Sequence, residues 1–170
     1  MMPYLLDANI FIQAKNLHYG FDFCPAFWEW LHAGNQQGKV FSIEKVRDEL
    51  IGGDDELAEW AKARGPDFFL PPDTEIVPSL AAVSSWAGSG GYEPGAVSQF
   101  LQVADYYLVA HALAHGFDMV THEVAANSVK KIKIPNRSPC EVHVSVRDAA
   151  DRKGPLRPGL MRDGGGSSQR

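Results

Sequence analysis

The chain has 170 residues, about the length of one domain. Hydrophobic residues make up 45% of it and charged residues 22%, which excludes a disordered protein, and no apolar run is long enough to span a bilayer. The formal net charge of -5 excludes binding of nucleic acid through bulk positive charge. The N-terminal segment lacks the basic region and cleavage pattern of a signal peptide, so we expect a cytoplasmic protein.

The N-terminal half alternates short apolar runs with helical periodicity. The run Tyr4–Leu6 predicts a buried strand that ends at Asp7. The elements expected after it are, in chain order, a turn or short helix at 8–15, a helix from 25 to about 34, a strand or helix approach at 39–42, helices at 42–51 and 54–65, and a short extended piece at 68–72. Ser42 is the expected cap of the helix at 42–51, because a serine side chain can accept a hydrogen bond from the first turn.

The C-terminal half returns to the same alternation. Helical patterns cover residues 80–86 and 94–116, and a strand at 117–121 leads into His122 and Glu123. Residues 129–134 alternate apolar residues with lysine, which fits an edge strand or its approach, and residues 141–146 fit a further strand. Strands that alternate with helices indicate an α/β domain with a mainly parallel sheet. We expect this domain to cover residues 1–148 and the Gly/Arg-rich residues 149–170 to form a disordered tail.

Acidic residues are placed to meet at one edge of this sheet. Asp7 and Glu123 follow two predicted strands, and Asp105 begins the helix before the second of these strands. Glu49 points to the same edge if its helix packs beside the first strand. Ligands of open parallel sheets bind outside the carboxyl ends of the strands. Because converging carboxylates repel one another, this arrangement favours a hard divalent cation such as Mg2+ or Mn2+.

Four segments resemble, in order, the motifs of PIN-domain nucleases. Residues 5–12 (LLDANIFI) are similar to the opening motif, with Ala8 where Thr or Ser is usual, and residues 42–50 (SIEKVRDEL) to the second. Residues 105–112 (DYYLVAHA) resemble the third, and residues 120–123 (VTHE) carry Glu where many members have Asp. The sequence of residues 19–28 (YGFDFCPAFW) resembles sequences of a VapC-type branch formerly of unknown function.

This resemblance implies a three-layer α/β/α sandwich and a metal-dependent endoribonuclease, the toxin of a type II toxin–antitoxin pair. The residues that it implies for catalysis and for binding Mg2+ or Mn2+ are Asp7, Glu49, Asp105 and Glu123. The residues that it implies for orienting these carboxylates or the attacking water are Asn9, Ser42 and Thr121. The implied partners are an RNA substrate, a cognate antitoxin of the helix-turn-helix type and a second copy in a homodimer. Hydrolysis would leave a 5′-phosphate and a 3′-hydroxyl.

Other interpretations of these residues stay open. Lys130, Lys131 and Lys133 could form a local patch that binds RNA phosphates, or could be edge-strand lysines that block aggregation. The alternative function is a catalytically inactive PIN-like module that binds RNA or a protein. A third hypothesis, a phosphotransfer domain with Asp7 as acceptor, has no well-placed partner lysine after the last strand motif.

Overall fold

The computed structural model describes residues 2–123, 127–134 and 142–144. Five strands form one parallel sheet in the order β3-β2-β1-β4-β5. Their bounds are Tyr4–Leu6 for β1, Val40–Ile43 for β2, Phe69–Leu70 for β3, Asp118–Thr121 for β4 and Val142–Val144 for β5. The predicted α/β class with a mainly parallel sheet in a three-layer α/β/α arrangement is confirmed.

Helices connect the strands. Within the described residues they are α1 Ala8–Gln13, which continues as a π-helical turn at Ala14–His18, α2 Pro25–Gln36, α3 Glu44–Ile51, α4 Glu56–Lys62, α5 Ile76–Ser89, α6 Pro94–Phe100 and α7 Ala104–His115. The single helical pattern predicted over residues 94–116 is therefore two helices, with a break at 101–103. None of the helices in the described part of the chain is long and apolar enough to cross a membrane.

An aromatic cluster joins α1, α2, α4 and the residue before β3. The ring of Phe11 lies 5.6 Å from that of Trp60, which lies 5.0 Å from Trp28 and 5.4 Å from Phe68. Aromatic rings of this size bury large apolar areas and prefer such tilted and edge-on contacts. This packing anchors α1, which begins directly after Asp7 at the end of β1.

The connection from α7 to β4 returns the chain to the same edge of the sheet. Gly116 has φ 68 and ends α7, as expected for a residue with no Cβ in a left-handed turn. The amide of Phe117 then donates to the carbonyl of Ala112 at 3.0 Å, and β4 begins at the next residue. Because α7 and β4 run in opposite directions, the start of α7 and the end of β4 lie together.

Two local predictions are wrong. Ser42 does not cap α3, because the strand continues through Ile43, which is the residue at the cap position. The Ser42 hydroxyl is buried between strands and donates to the carbonyl of Leu6 at 2.7 Å. Of the two alternatives for residues 129–134, the edge strand does not form; Ile132 and Ile134 are buried side chains of an irregular segment, which gives the same alternation. The predicted tail at 149–170 lies outside the described residues.

Candidate active site

Asp7 occupies the point where β1 ends and α1 begins. Its backbone amide donates to the carbonyl of Val120 at 3.0 Å, which ties this position to β4. The Asp7 side chain is only 2% exposed. Its Oδ2 accepts a hydrogen bond from the Thr121 hydroxyl at 2.8 Å and one from Asn9 Nδ2 at 3.4 Å. Two of the three residues predicted to orient the carboxylates therefore contact Asp7 directly.

Burial raises the pKa of the Asp7 carboxyl above its ordinary value. The hydrogen bond from Thr121 lowers this pKa, and the negative charge of Glu123 raises it further. Hydrogen bonds to the ionised form thus offset only part of the desolvation. A buried carboxylate in this position is stabilised by any positive charge that can reach it.

Thr121 links two carboxylate residues. It donates to Asp7 and accepts a hydrogen bond at its Oγ1 from the backbone amide of Glu123 at 3.0 Å. The Glu123 Oε2 in turn accepts a hydrogen bond from the backbone amide of Ile134 at 3.3 Å. The end of β4 and the segment 127–134 are therefore connected to the end of β1 by a chain of hydrogen bonds.

Glu49 reaches the site from α3, which packs against α1 and α7. The residue is exposed at the surface, but the surrounding protein removes enough water from its carboxyl to raise its pKa. A hydrogen bond from the backbone of Ala104, the first residue of α7, lowers the pKa, and the negative charge of Asp7 raises it. Glu49 thus lies next to the start of α7, where Asp105 is the second residue.

The negative charges of the other three carboxylates act on Asp105. The pKa of Asp105 is raised to about 7, and burial is the largest cause. The negative charges of Asp7, Glu123 and Glu49 act in the same direction, in that order of strength. The positive charge of Lys131 lowers the pKa. The structure therefore brings the four acidic residues that the sequence singled out into one electrostatic cluster.

A cleft of about 210 Å³ opens beside this cluster. Glu49, Asp105 and Lys131 contribute its charged groups, and Gln99 contributes an amide. The remaining lining is apolar and comes from Ala96, Phe100, Val103 and Ile132. We call this cavity the acidic cleft. Of the three lysines predicted to bind RNA, Lys131 alone is among the residues that line it.

Ser42, the third residue predicted to orient the carboxylates, contacts the residue before Asp7. Its hydrogen bond to the carbonyl of Leu6 fixes the backbone directly before Asp7, so it acts on Asp7 through the main chain. Sequence reasoning missed Gln99, because a glutamine on an exposed helical face carries no pattern of its own. In the part of the chain that the structure describes, no three His, Cys, Asp or Glu side chains already stand close enough to hold one metal ion.

The comparison with curated proteins gives no significant match. Among solved structures, the chain is similar to a chain in the crystal structure of VapBC2 from Rickettsia felis bound to a DNA fragment from their promoter. The two are 16% identical and superpose with a TM-score of 0.54, over 85% of this chain and 99% of that one. This likeness confirms the expected PIN-like fold. The family model described as a domain of unknown function, DUF4411, matches residues 4–146, and the chain therefore belongs to the DUF4411 family.

Proposed function

We propose that this protein is an endoribonuclease that depends on Mg2+ or Mn2+, and the toxin of a type II toxin–antitoxin pair. The observation that carries the proposal is the convergence of Asp7, Glu49, Asp105 and Glu123 beside one cleft, with the pKa of Asp105 raised to about 7. Burying like charges together destabilises a protein unless a ligand compensates for them. Perturbed acids in a cleft are typical of functional sites.

The chemistry of the four acidic side chains, rather than their present spacing, fits a hard divalent cation. Asp7, Glu49 and Asp105 would hold the ion, with Glu123 as the fourth acid, and all of them offer the oxygen ligands that Mg2+ and Mn2+ prefer. When bound, such an ion supplies positive charge, lowers the pKa of a water and stabilises the leaving oxygen of a phosphodiester. It would also let a protein of net charge -5 bind RNA at this site.

The residues around the acids prepare the site. The Thr121 hydroxyl holds Asp7 in one orientation, and Ser42 fixes the backbone before it. With a pKa of about 7, the Asp105 carboxyl carries a proton in roughly half of the molecules at neutral pH. Approach of positive charge shifts Asp105 to its ionised form, so cation binding releases a proton from this side chain.

The partners belong to the same proposal. The similar VapBC2 structure is bound to a DNA fragment from their promoter, which supports a cognate antitoxin for this chain, and we propose that this antitoxin is of the helix-turn-helix type. We further propose that the protein is cytoplasmic, forms a homodimer and cuts RNA. Co-expression with the product of a neighbouring gene, followed by size-exclusion chromatography, tests both the antitoxin and the dimer.

One observation favours the alternative of an inactive module that binds RNA or a protein. The Glu123 carboxylate already accepts a hydrogen bond from the Ile134 amide, and the longer Glu stands where many PIN domains have Asp. A carboxylate held by the backbone is less free to serve a cation. Binding of RNA without any cleavage in Mn2+ would support this alternative.

The test of the proposed function is RNA cleavage by purified protein in Mn2+ or Mg2+, followed on gels, with and without EDTA. We expect Asp7→Asn and Asp105→Asn to abolish cleavage while circular dichroism shows the wild-type fold. Asp48→Asn is the matched control, because Asp48 is an exposed acid on α3 that does not line the acidic cleft. Cleavage by both site variants at the wild-type rate would refute the proposal, as would wild-type cleavage that persists in EDTA.

A further inference from the structure

The lining of the acidic cleft combines two kinds of side chain. Glu49 and Asp105 contribute carboxylates. The apolar part comes from α6, from Val103 directly before α7 and from Ile132, and both Phe100 and Ile132 are also buried in the core. A cavity of about 210 Å³ with an apolar lining and a few polar groups suits a small planar group.

Gln99 supplies a hydrogen-bonding group to the lining of this cleft. It is exposed on α6, and its amide offers both a donor and an acceptor. The next glutamine, Gln102, differs because it donates to the Ser98 hydroxyl at 3.3 Å and does not line the cleft. Adjacent donors and acceptors of a side-chain amide match the edges of nucleobases.

Lys131 supplies positive charge beside the carboxylates. Its side chain is exposed and lines the cleft, and its charge acts favourably on Asp105. None of the ion pairs found among the described residues involves Lys131. Its ammonium therefore remains able to contact a phosphate group next to the carboxylates.

We propose that the acidic cleft seats one unpaired nucleotide of the RNA strand, with Gln99 contacting the edge of its base and Lys131 contacting its phosphate. This inference rests on the proposed nuclease function and names how that site holds its substrate. The nucleotide must be unpaired, because a base that is stacked and paired inside a duplex cannot enter a cavity or present its pairing edge to an amide. Gln99 then determines base preference at one position, and Lys131 is a positioning residue.

The experiment measures binding and cleavage of short RNAs that differ at a single position. Binding is followed by fluorescence anisotropy with Ca2+ in place of Mn2+, with RNA integrity checked on gels, and cleavage is followed in Mn2+. We expect Gln99→Leu to reduce the wild-type preference among the four bases to within about twofold, whereas the matched control Gln102→Leu leaves the preference unchanged.

Lys131→Gln should weaken binding of all sequences roughly equally, by about five- to tenfold, and lower the salt dependence by about one charge. It should raise KM more than it lowers kcat, and Lys131→Arg should restore most of the affinity because it keeps the positive charge. Lys39→Gln, which removes an exposed lysine next to the start of β2, controls for loss of net charge and should change affinity by less than about twofold.

The two proposals fail in different ways. An unchanged base preference in Gln99→Leu, or a loss in Lys131→Gln no larger than in Lys39→Gln, overturns the nucleotide seat even if the protein cuts RNA. RNA binding with the expected dependence on both residues, but without cleavage in Mn2+, supports the seat and refutes the nuclease. A wild-type protein that neither binds nor cuts RNA refutes both.

Discussion

Two clefts of similar volume share helices α3 and α7 but differ in the charges behind their linings. The acidic cleft of about 210 Å³ is lined by Glu49, Asp105 and Lys131, and the negative charges of Asp7 and Glu123 also act on Asp105. The second cleft, of about 220 Å³, is lined by Ile43, Glu44, Lys45, Asp48, Leu70, Pro72, Tyr107 and His111. The second cleft also holds two acids and one lysine, and the ammonium of this lysine lies 5.2 Å from the centre of the Tyr107 ring.

The difference shows what burial alone does and does not indicate. Burial lowers the pKa of His111 to about 4 and so keeps this residue neutral, and it is also the largest cause of the raised pKa of Asp105. Both groups are thus shifted toward their uncharged forms. Only Asp105 also faces three like charges. The additional negative charges of Asp7 and Glu123, rather than burial, therefore distinguish the acidic cleft from the second cleft.

The sharpest test of this comparison replaces two neighbouring acids on α3, Glu49 and Asp48, in separate variants. We expect Glu49→Gln to lower kcat for RNA cleavage by roughly 100-fold or more, because it removes a proposed ligand, and Asp48→Asn to change it by less than about twofold. Steady-state cleavage in saturating Mn2+ measures both. Equal losses in the two variants would remove the functional distinction between the clefts.

Thr121→Val tests the hydrogen-bond chain that orients Asp7. The variant keeps the shape of the side chain but loses both the hydroxyl that donates to Asp7 and the oxygen that accepts from the Glu123 amide. We expect about a tenfold loss of Mn2+ affinity, measured by calorimetry, and about 1–2 kcal/mol lower stability in urea. Thr121→Ser retains the hydroxyl and should stay close to wild type; if it behaves like the valine variant, packing rather than hydrogen bonding is responsible.

The acidic cluster also predicts how stability depends on pH. In the folded protein the pKa of Asp105 is about 7, above its ordinary 3.8, so the folded state holds this proton more tightly than the unfolded state. The protonated Asp105 carboxyl therefore contributes fully to the free energy of unfolding at low pH, and this contribution is lost as the pH rises from about 4 through about 7.

Asp105→Asn removes the loss of folding stability that ionisation of Asp105 causes. Without divalent cations, we expect its Tm to exceed that of the wild type by roughly 3–6 °C at about pH 8 and to approach the wild-type value near pH 4. Added Mn2+ should narrow the gap at pH 8 by raising the Tm of the wild type. Thermal denaturation followed by circular dichroism measures these shifts, and identical melting of the two proteins at both pH values would contradict the convergence of the acids.

The smallest effect is expected in the second cleft. His111 is almost fully buried and its Nδ1 has no hydrogen-bond partner among the described residues. Because a buried unpaired polar atom is unfavourable, His111→Leu should leave the free energy of unfolding within about 1 kcal/mol of wild type, or raise it, and should not alter RNA cleavage. A loss of several kcal/mol would show that His111 has a structural partner after all.

The sequence predicts the acids of the site well because their signals are local. Asp7 directly follows an apolar strand, Asp105 begins a helix, and these positions reach one edge of any parallel α/β sheet. The packing of α3 decides whether Glu49 or Asp48 faces the cluster. The sequence selects Glu49 only through the resemblance to PIN-domain nucleases. The four roles in catalysis and metal binding stay predictions.

Other features depend on contacts that no local pattern contains. The sequence predicts Ser42 as the cap of α3, but the Ser42 hydroxyl instead donates to the carbonyl of Leu6 on the neighbouring strand. Only the folded sheet brings these two groups together. The alternation at 129–134 fits an edge strand or its approach, and burial of every second residue looks the same in a loop packed on the core. Gln99 becomes visible only through the cavity that it borders.

The hydrogen bond between Thr121 and Asp7 joins residues 114 positions apart in the chain. During synthesis, β1 can pair with β2 once residue 43 has left the ribosome, but the acids cannot gather until β4 has emerged and taken its place on the other side of β1. Truncated or unfinished chains therefore lack the assembled acid cluster. If the protein is a toxin, a cell that makes it is exposed to its activity only after nearly the whole domain has been translated and folded.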